Sequence, residues 1–181
     1  QALDMRKKLL GAEHPDVATS LNNLAGLYES QGRYTEAEPL FIQALDMKKK
    51  LLGAEHPSVA TSLNNLAKIY RAQGRYTEAE PLFIQALDMR KKLLGAEHPD
   101  VAESLNNLAL LYSAQGRYTE AEPLYIQALD MRKKLLGAEH PDVASSLNNL
   151  AFLYSAQGRY TEAEPLYIQA LDMRKKLLGA E

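Results

Sequence analysis

PDVATSLNNLAGLYESQGRYTEAEPLFIQALDMKKKLLGAEH, residues 15–56, decides the fold. Pro15 suits the first position of a helix, where its missing N–H is not needed. Asp16 beside it favours the positive end of the helix dipole. Val17, Leu21, Leu24 and Tyr28 follow at helical spacing, and Gly32 predicts a left-handed stop. Thr35-Glu36-Ala37-Glu38 reads as a capping box, with Thr35 bonding the Glu38 N–H and Glu38 reaching back. Pro39 falls at the edge of that first turn, where it costs one hydrogen bond at most. Ala37, Leu40, Phe41, Ala44, Met47 and Leu51 form the apolar stripe of the second helix. Lys48, Lys49 and Lys50 complement its negative end, and Gly53 closes it. Each helix is expected to run about 16–18 residues, and the short loop between them makes an antiparallel hairpin.

The same phrase returns down the whole chain. QALDM starts at Gln1, Gln43, Gln85, Gln127 and Gln169, a period of 42 residues, and 34 of the 42 columns are identical in the four full copies. A lone hairpin cannot bury its apolar stripe, whereas a stack of them can. The expected fold is therefore all-α, a right-handed superhelical α-solenoid of antiparallel hairpins, with residues 1–181 as one domain. Within it, 1–14 reads as a partial helix and connector of a preceding repeat, and 15–56, 57–98, 99–140 and 141–181 as four hairpin repeats. No strand pattern competes.

Composition narrows the function. With 46% hydrophobic residues among 181, the chain is not a disordered one. It has no cysteine, which excludes disulfides, thiolate metal sites and a cysteine nucleophile and fits a reducing, cytoplasmic setting. A net charge of -2 gives no footprint for nucleic acid or a membrane surface. No apolar run approaches the roughly 20 residues of a membrane helix, and no signal peptide is visible. Gln1 opens inside the repeat pattern, so the native start is expected upstream.

Eight columns vary, and three of them take three or more residue types. Thr19 is followed by Thr61, Glu103 and Ser145; Gly26 by Lys68, Leu110 and Phe152; Glu29 by Arg71, Ser113 and Ser155. At 3.6 residues per turn these columns share an arc of roughly 80° on the first helix. The column of Asn22, Asn64, Asn106 and Asn148 falls inside the arc, and that of Asn23, Asn65, Asn107 and Asn149 beside it. Leu21, Leu24 and Tyr28 point the opposite way. Free drift of exposed positions is the plain explanation. Against it, exposed positions of the second helix such as Glu36, Gln43, Asp46 and Lys50 do not vary at all. A constant frame with a variable reader fits that restriction. Recent duplication and design both fit the near-identity of the copies. Lys68 and Arg71 are expected to form the one basic pocket of the arc, with Leu110 and Phe152 as its apolar end.

Leu21, Leu24, Ala25, Tyr28, Gly32, Tyr34, Ala37, Phe41 and Ala44 together resemble the tetratricopeptide spacing of large and small residues. The usual unit has about 34 residues; here the extra length falls in MKKKLLGAEH. The phrases HPDVATSLNNLA, QGRYTEAEPL and LLGAEHP look like the 42-residue repeats of kinesin light chains and their bacterial relatives. That resemblance implies a concave groove lined by the outward arc of the first helices. It also implies that the Asn23 column holds the backbone of a bound peptide, which an amide side chain can do by donating and accepting. A protein or peptide is thus the expected partner, in a scaffold without enzymatic activity. The alternative is a structural spacer without a ligand, prone to stack head to tail with its own copies, because its end faces match the internal ones. Kinesin light chains also carry a coiled-coil segment, which this chain lacks.

The remaining constellations have structural explanations. His14, His56, His98 and His140 stand one per repeat before proline, too far apart to share a metal. Glu36 and Glu38 are explained by capping. Lys7, Lys8 and their copies form a basic edge, explained by the helix dipole and weakened as a nucleic-acid surface by Asp4 and Glu13. No nucleophile–base pair, phosphate loop or metal spacing occurs, so no cofactor and no metal are expected.

Overall fold

In the computed structural model the chain is described over residues 14–179, together with Met5, Leu9 and Gly11. Eight helices and no strand occur among the described residues: α1 (Pro15–Ser30), α2 (Tyr34–Leu52), α3 (Pro57–Ala72), α4 (Tyr76–Leu94), α5 (Pro99–Ala114), α6 (Tyr118–Leu136), α7 (Pro141–Ala156) and α8 (Tyr160–Leu178). The partial helix expected over 1–14, with Asp4, Lys7, Lys8 and Glu13, lies outside the described residues except at Met5, Leu9, Gly11 and His14. The chain divides into two compact units, Gln1–Gly95 and Ala96–Glu181. The first holds the hairpins α1/α2 and α3/α4, the second α5/α6 and α7/α8.

Each first helix begins as its proline predicts. The histidine before it is the N-cap: Nδ1 of His14 accepts the Asp16 N–H at 3.2 Å, and Nδ1 of His56 the Ser58 N–H at 3.1 Å. His98 and His140 repeat the bond to Asp100 and Asp142. The helix ends in a paired turn. The Gly32 N–H donates to the Glu29 carbonyl at 2.9 Å and the Arg33 N–H to the Tyr28 carbonyl at 2.9 Å, with Gly32 at φ 71°. This satisfies the last carbonyls in the manner of a Schellman turn.

That turn overturns the expected capping box. It delivers the chain to Arg33, which becomes the N-cap of α2 without any side-chain cap bond. Thr35 therefore sits inside the first turn, past the position from which its hydroxyl would cap. Pro39 lies within α2, and the helix runs through it to Leu52. Gly53 then stops α2 at φ 87°, ψ 156°, a backbone region open essentially to glycine alone.

The core of the first unit forms between α2 and α3. Phe41, Leu63 and Ile69 are buried there with Leu45, and Ala25, Ala37 and Ala86 let the helices approach closely. Burying a side chain the size of Phe41 stabilises by roughly 1.5–3 kcal/mol. In the second unit Tyr125, Leu129, Leu147 and Leu153 occupy the same places. A cation tethers each junction. Lys48 Nζ donates to Ser62 Oγ at 2.9 Å, and Arg132 Nη1 to Ser146 Oγ at 2.7 Å. Burial pushes both cations below their ordinary pKa ranges.

Candidate interaction surface on the first helices

In the first unit α1 and α3 place their variable columns side by side. Thr19 and Asn23 are exposed, while Asn22, Gly26 and Glu29 are half-buried; on α3, Thr61, Asn65, Lys68 and Arg71 are half-buried. Asn64 is only 1% exposed and is an interior residue. The asparagines are also structural. Asn65 Nδ2 donates to Asn22 Oδ1 at 3.3 Å, bridging neighbouring first helices. Lys68 Nζ lies 3.1 Å from Glu29 Oε1. The expected basic pocket is therefore half cancelled, because the stacking sets column 26 of one repeat against column 29 of the one before. Arg71 keeps a buried Nε without a hydrogen-bond partner.

The second unit repeats the arrangement with different chemistry. Glu103, Asn107, Leu110 and Ser113 on α5, and Ser145, Asn148, Asn149 and Ser155 on α7, are half-buried. Asn106 is buried and accepts from Asn149 Nδ2 at 3.0 Å. Phe152 stands 60% exposed. In each unit, then, the sequence-derived arc comes together as a surface, save that Asn64 and Asn106 lie beneath it.

Sequence reasoning missed a clasp at the other edge. The Arg75 guanidinium stacks on the Tyr70 ring at 4.1 Å and grips Glu78 with two bonds of 2.7 and 2.6 Å. It also reaches Glu38 on the preceding hairpin at 2.8 Å. Arg159 repeats this with Tyr154, Glu162 and Glu122. The glutamate assigned to a capping box is thus a strut between repeats. The arginine bonds hold the Glu78 and Glu162 carboxyls below their ordinary pKa. Burial, followed by the nearby Glu38, pushes the Tyr70 phenol up. The lysine edge is similarly neutralised: Lys92 pairs with Glu55 and Lys134 with Glu97, both at 2.6 Å.

The second helices carry clefts of their own. Glu55, Pro81, Ile84, Asp88, Met89 and Lys92 line one in the first unit, and Glu97, Pro123, Ile126, Asp130, Met131 and Lys134 line its copy in the second. Their linings are the same from repeat to repeat, whereas the arcs of the first helices differ between repeats. No group of three His, Cys, Asp or Glu suited to a metal occurs among the described residues, and no described helix is long and apolar enough to cross a membrane.

Hairpins of this geometry, copied along the chain, define a helical-repeat scaffold. The tetratricopeptide repeat pattern matches residues 1–50, 16–92, 58–134 and 100–176, and the chain belongs to that family. Among solved structures it is similar to BtubC (BKLC) from P. vanneervenii, with 30% identity and a TM-score of 0.80 over 93% of this chain and 67% of that one. It is also similar to a Podosopora anserina putative kinesin light chain with nearly identical TPR-like repeats. There the identity is 35% over 97% of this chain and 83% of that one, with a TM-score of 0.77 for a substituted form and 0.74 for another crystal structure. Among curated proteins none matches the chain. Its nearly copied 42-residue units thus place it with the kinesin-light-chain-like tetratricopeptide proteins, whose repeats generally mediate protein–protein interaction.

Proposed function

We propose that the first-helix arc of each unit holds a segment of a partner protein. One observation carries the reading: the columns that differ most between copies are gathered on this arc beside constant asparagines. A frame that repeats without change gives a fixed grip on a peptide backbone, and the changing columns select its side chains. In the first unit the selecting groups are the Glu29–Lys68 pair and Arg71. In the second they are Leu110, Phe152 and the two serines, Ser113 and Ser155. A segment held by the first unit is thus polar, and a segment held by the second carries an apolar anchor for Phe152.

Isothermal titration against a peptide library tests this. Asn65→Ala and Asn107→Ala should each weaken the selected peptides roughly two- to tenfold, the worth of one lost hydrogen bond. Because Asn65 also bonds Asn22, Asn22→Ala is the control for a purely structural effect. If every binder is indifferent to the Asn65 and Asn107 changes, the arc is not the site.

A further inference from the structure

The second helices α4 and α6 each present a cleft that neither the core nor the arcs use. It measures about 620 Å³ on α4 and about 480 Å³ on α6, within the range of ligand-binding clefts. Both helices are preceded and followed by further hairpins, so these faces are open within the array. The floor is apolar. Ile84 and Ile126 are each 39% exposed, beside the exposed Pro81 and Pro123. Met89 packs against the core and also lines the cleft.

One charge in each cleft is not neutralised. Lys92 and Glu55 cancel across the 2.6 Å bridge that joins α4 to the loop before α3, and Lys134 and Glu97 cancel in the same way on α6. Asp88 and Asp130 line the clefts, are exposed, and enter no ion pair or hydrogen bond among the described residues. Gln85 and Gln127 stand exposed in the same linings, and their amides likewise have no partner among the described residues. No lining column is among the eight that vary, so one ligand chemistry fits both clefts.

We propose that the α4 and α6 clefts dock a segment of a partner protein that carries an apolar residue and, two residues away, a lysine or arginine. The site is separate from the arcs and does not depend on them. Charge complementarity selects the occupant: an apolar floor with one unanswered carboxylate attracts a cation and repels an acidic segment. Helix geometry sets the spacing. Ile84 and Asp88 are four residues apart, a rise of about 6 Å along α4, and Ile126 and Asp130 repeat it on α6. Side chains two residues apart on an extended segment share one side and stand about 6.6 Å apart. The apolar residue therefore rests on Ile84 with Pro81 and Met89, the cation reaches Asp88, and the Gln85 amide donates to and accepts from the segment's backbone. One anchor and one exposed ion pair give a weak contact, on the order of 1 mM, which ranks below a segment lying along an arc.

Amide and isoleucine-methyl NMR tests the site. The probe is a five-residue peptide with blocked ends, in which leucine, serine and arginine stand between two glycines. The comparisons are the same peptide with glutamate in place of arginine, and the Asp88→Lys chain. Asp88 is exposed, and the α6 cleft of the same molecule reports that the variant is folded. The arginine peptide should move the methyls of Ile84 and Ile126, and the glutamate peptide should bind both about threefold more weakly or worse. In Asp88→Lys the arginine peptide's affinity at Ile84 should fall by about threefold or more, while Ile126 keeps its value. Unmoved isoleucines overturn the site, as does an equal response to the two peptides. An unchanged affinity at Ile84 in the variant, or an equal loss at Ile84 and Ile126, overturns it as well. Shifts at Asn65 or Phe152 with the isoleucines silent assign the peptide to the arcs and overturn the clefts alone.

Discussion

Replacing Gly53 with alanine isolates a single physical term. The residue stands at φ 87°, ψ 156°, and a Cβ built on it would meet nothing within 4 Å. Packing therefore contributes nothing to the change, and the backbone contributes all of it. Holding an L-residue in this region costs about 1–3 kcal/mol. Stiffening of the unfolded chain by alanine offsets roughly 0.4–1 kcal/mol of that. A net loss of about 1–2 kcal/mol follows, which at a urea slope near 2 kcal/mol/M moves the midpoint down by about 0.5–1 M. Gly26 is the internal control. It lies within α1 with equally open space around its Cβ position, and alanine there should stabilise by about 0.5–1 kcal/mol. Urea unfolding followed by helical circular dichroism compares the two. Opposite shifts at an unchanged slope support the reasoning; a neutral or stabilising Gly53→Ala refutes it.

The caps, the core and the clasps give three further expectations. His56→Ala should lose about 0.5–2 kcal/mol, and His56→Asn should keep most of it, because asparagine also accepts the bond from the Ser58 N–H; urea midpoints separate the two. Phe41→Ala should cost about 3–5 kcal/mol, whereas Phe41→Tyr should be nearly neutral, since Tyr125 already fills that position in the second unit at 1% exposure; paired denaturation curves measure both. The carboxyls of Glu78 and Glu162 have their pKa lowered by arginine hydrogen bonds. Their stabilisation is therefore complete above the ordinary carboxylate range and is lost as pH falls through the lowered folded value. Urea midpoints recorded from neutral pH down to pH about 3 should fall less steeply for Glu78→Gln than for the unchanged chain.

The helices were legible because their signals are local. Pro15, Gly32 and Gly53 each act within a few residues of themselves, and the structure stops and starts the helices around them. The capping box failed at the same scale. The turn through Gly32 fixes Arg33 first, so the helix opens before Thr35 can cap it. What the sequence hid are contacts between repeats: Glu38 with Arg75, Lys48 with Ser62, Asn65 with Asn22. Each joins residues from 14 to 43 positions apart, beyond any helical period. Near-identity of the copies removed the remaining clue, because a constant Glu38 looks the same whether it caps a helix or braces a neighbour. The arc itself was visible through its variation, but the burial of Asn64 and Asn106 and the pairing of Lys68 with Glu29 depend on how first helices stack. A separation of 37 residues, five short of the repeat, sets Glu38 against Arg75 and was the one signal that could have exposed the clasp.

The central claim, that the chain grips a partner segment on the arcs of its first helices, is tested most directly by amide and side-chain NMR of the chain titrated with its tightest library peptide. The account predicts shifts concentrated at Asn23, Asn65, Lys68 and Arg71 in the first unit and at Leu110, Ser113 and Phe152 in the second, with Ile42, Ile84 and Ile126 on the second helices unmoved. Shifts gathered instead at those isoleucines and at Met89 and Lys92, with the arcs silent, would contradict it.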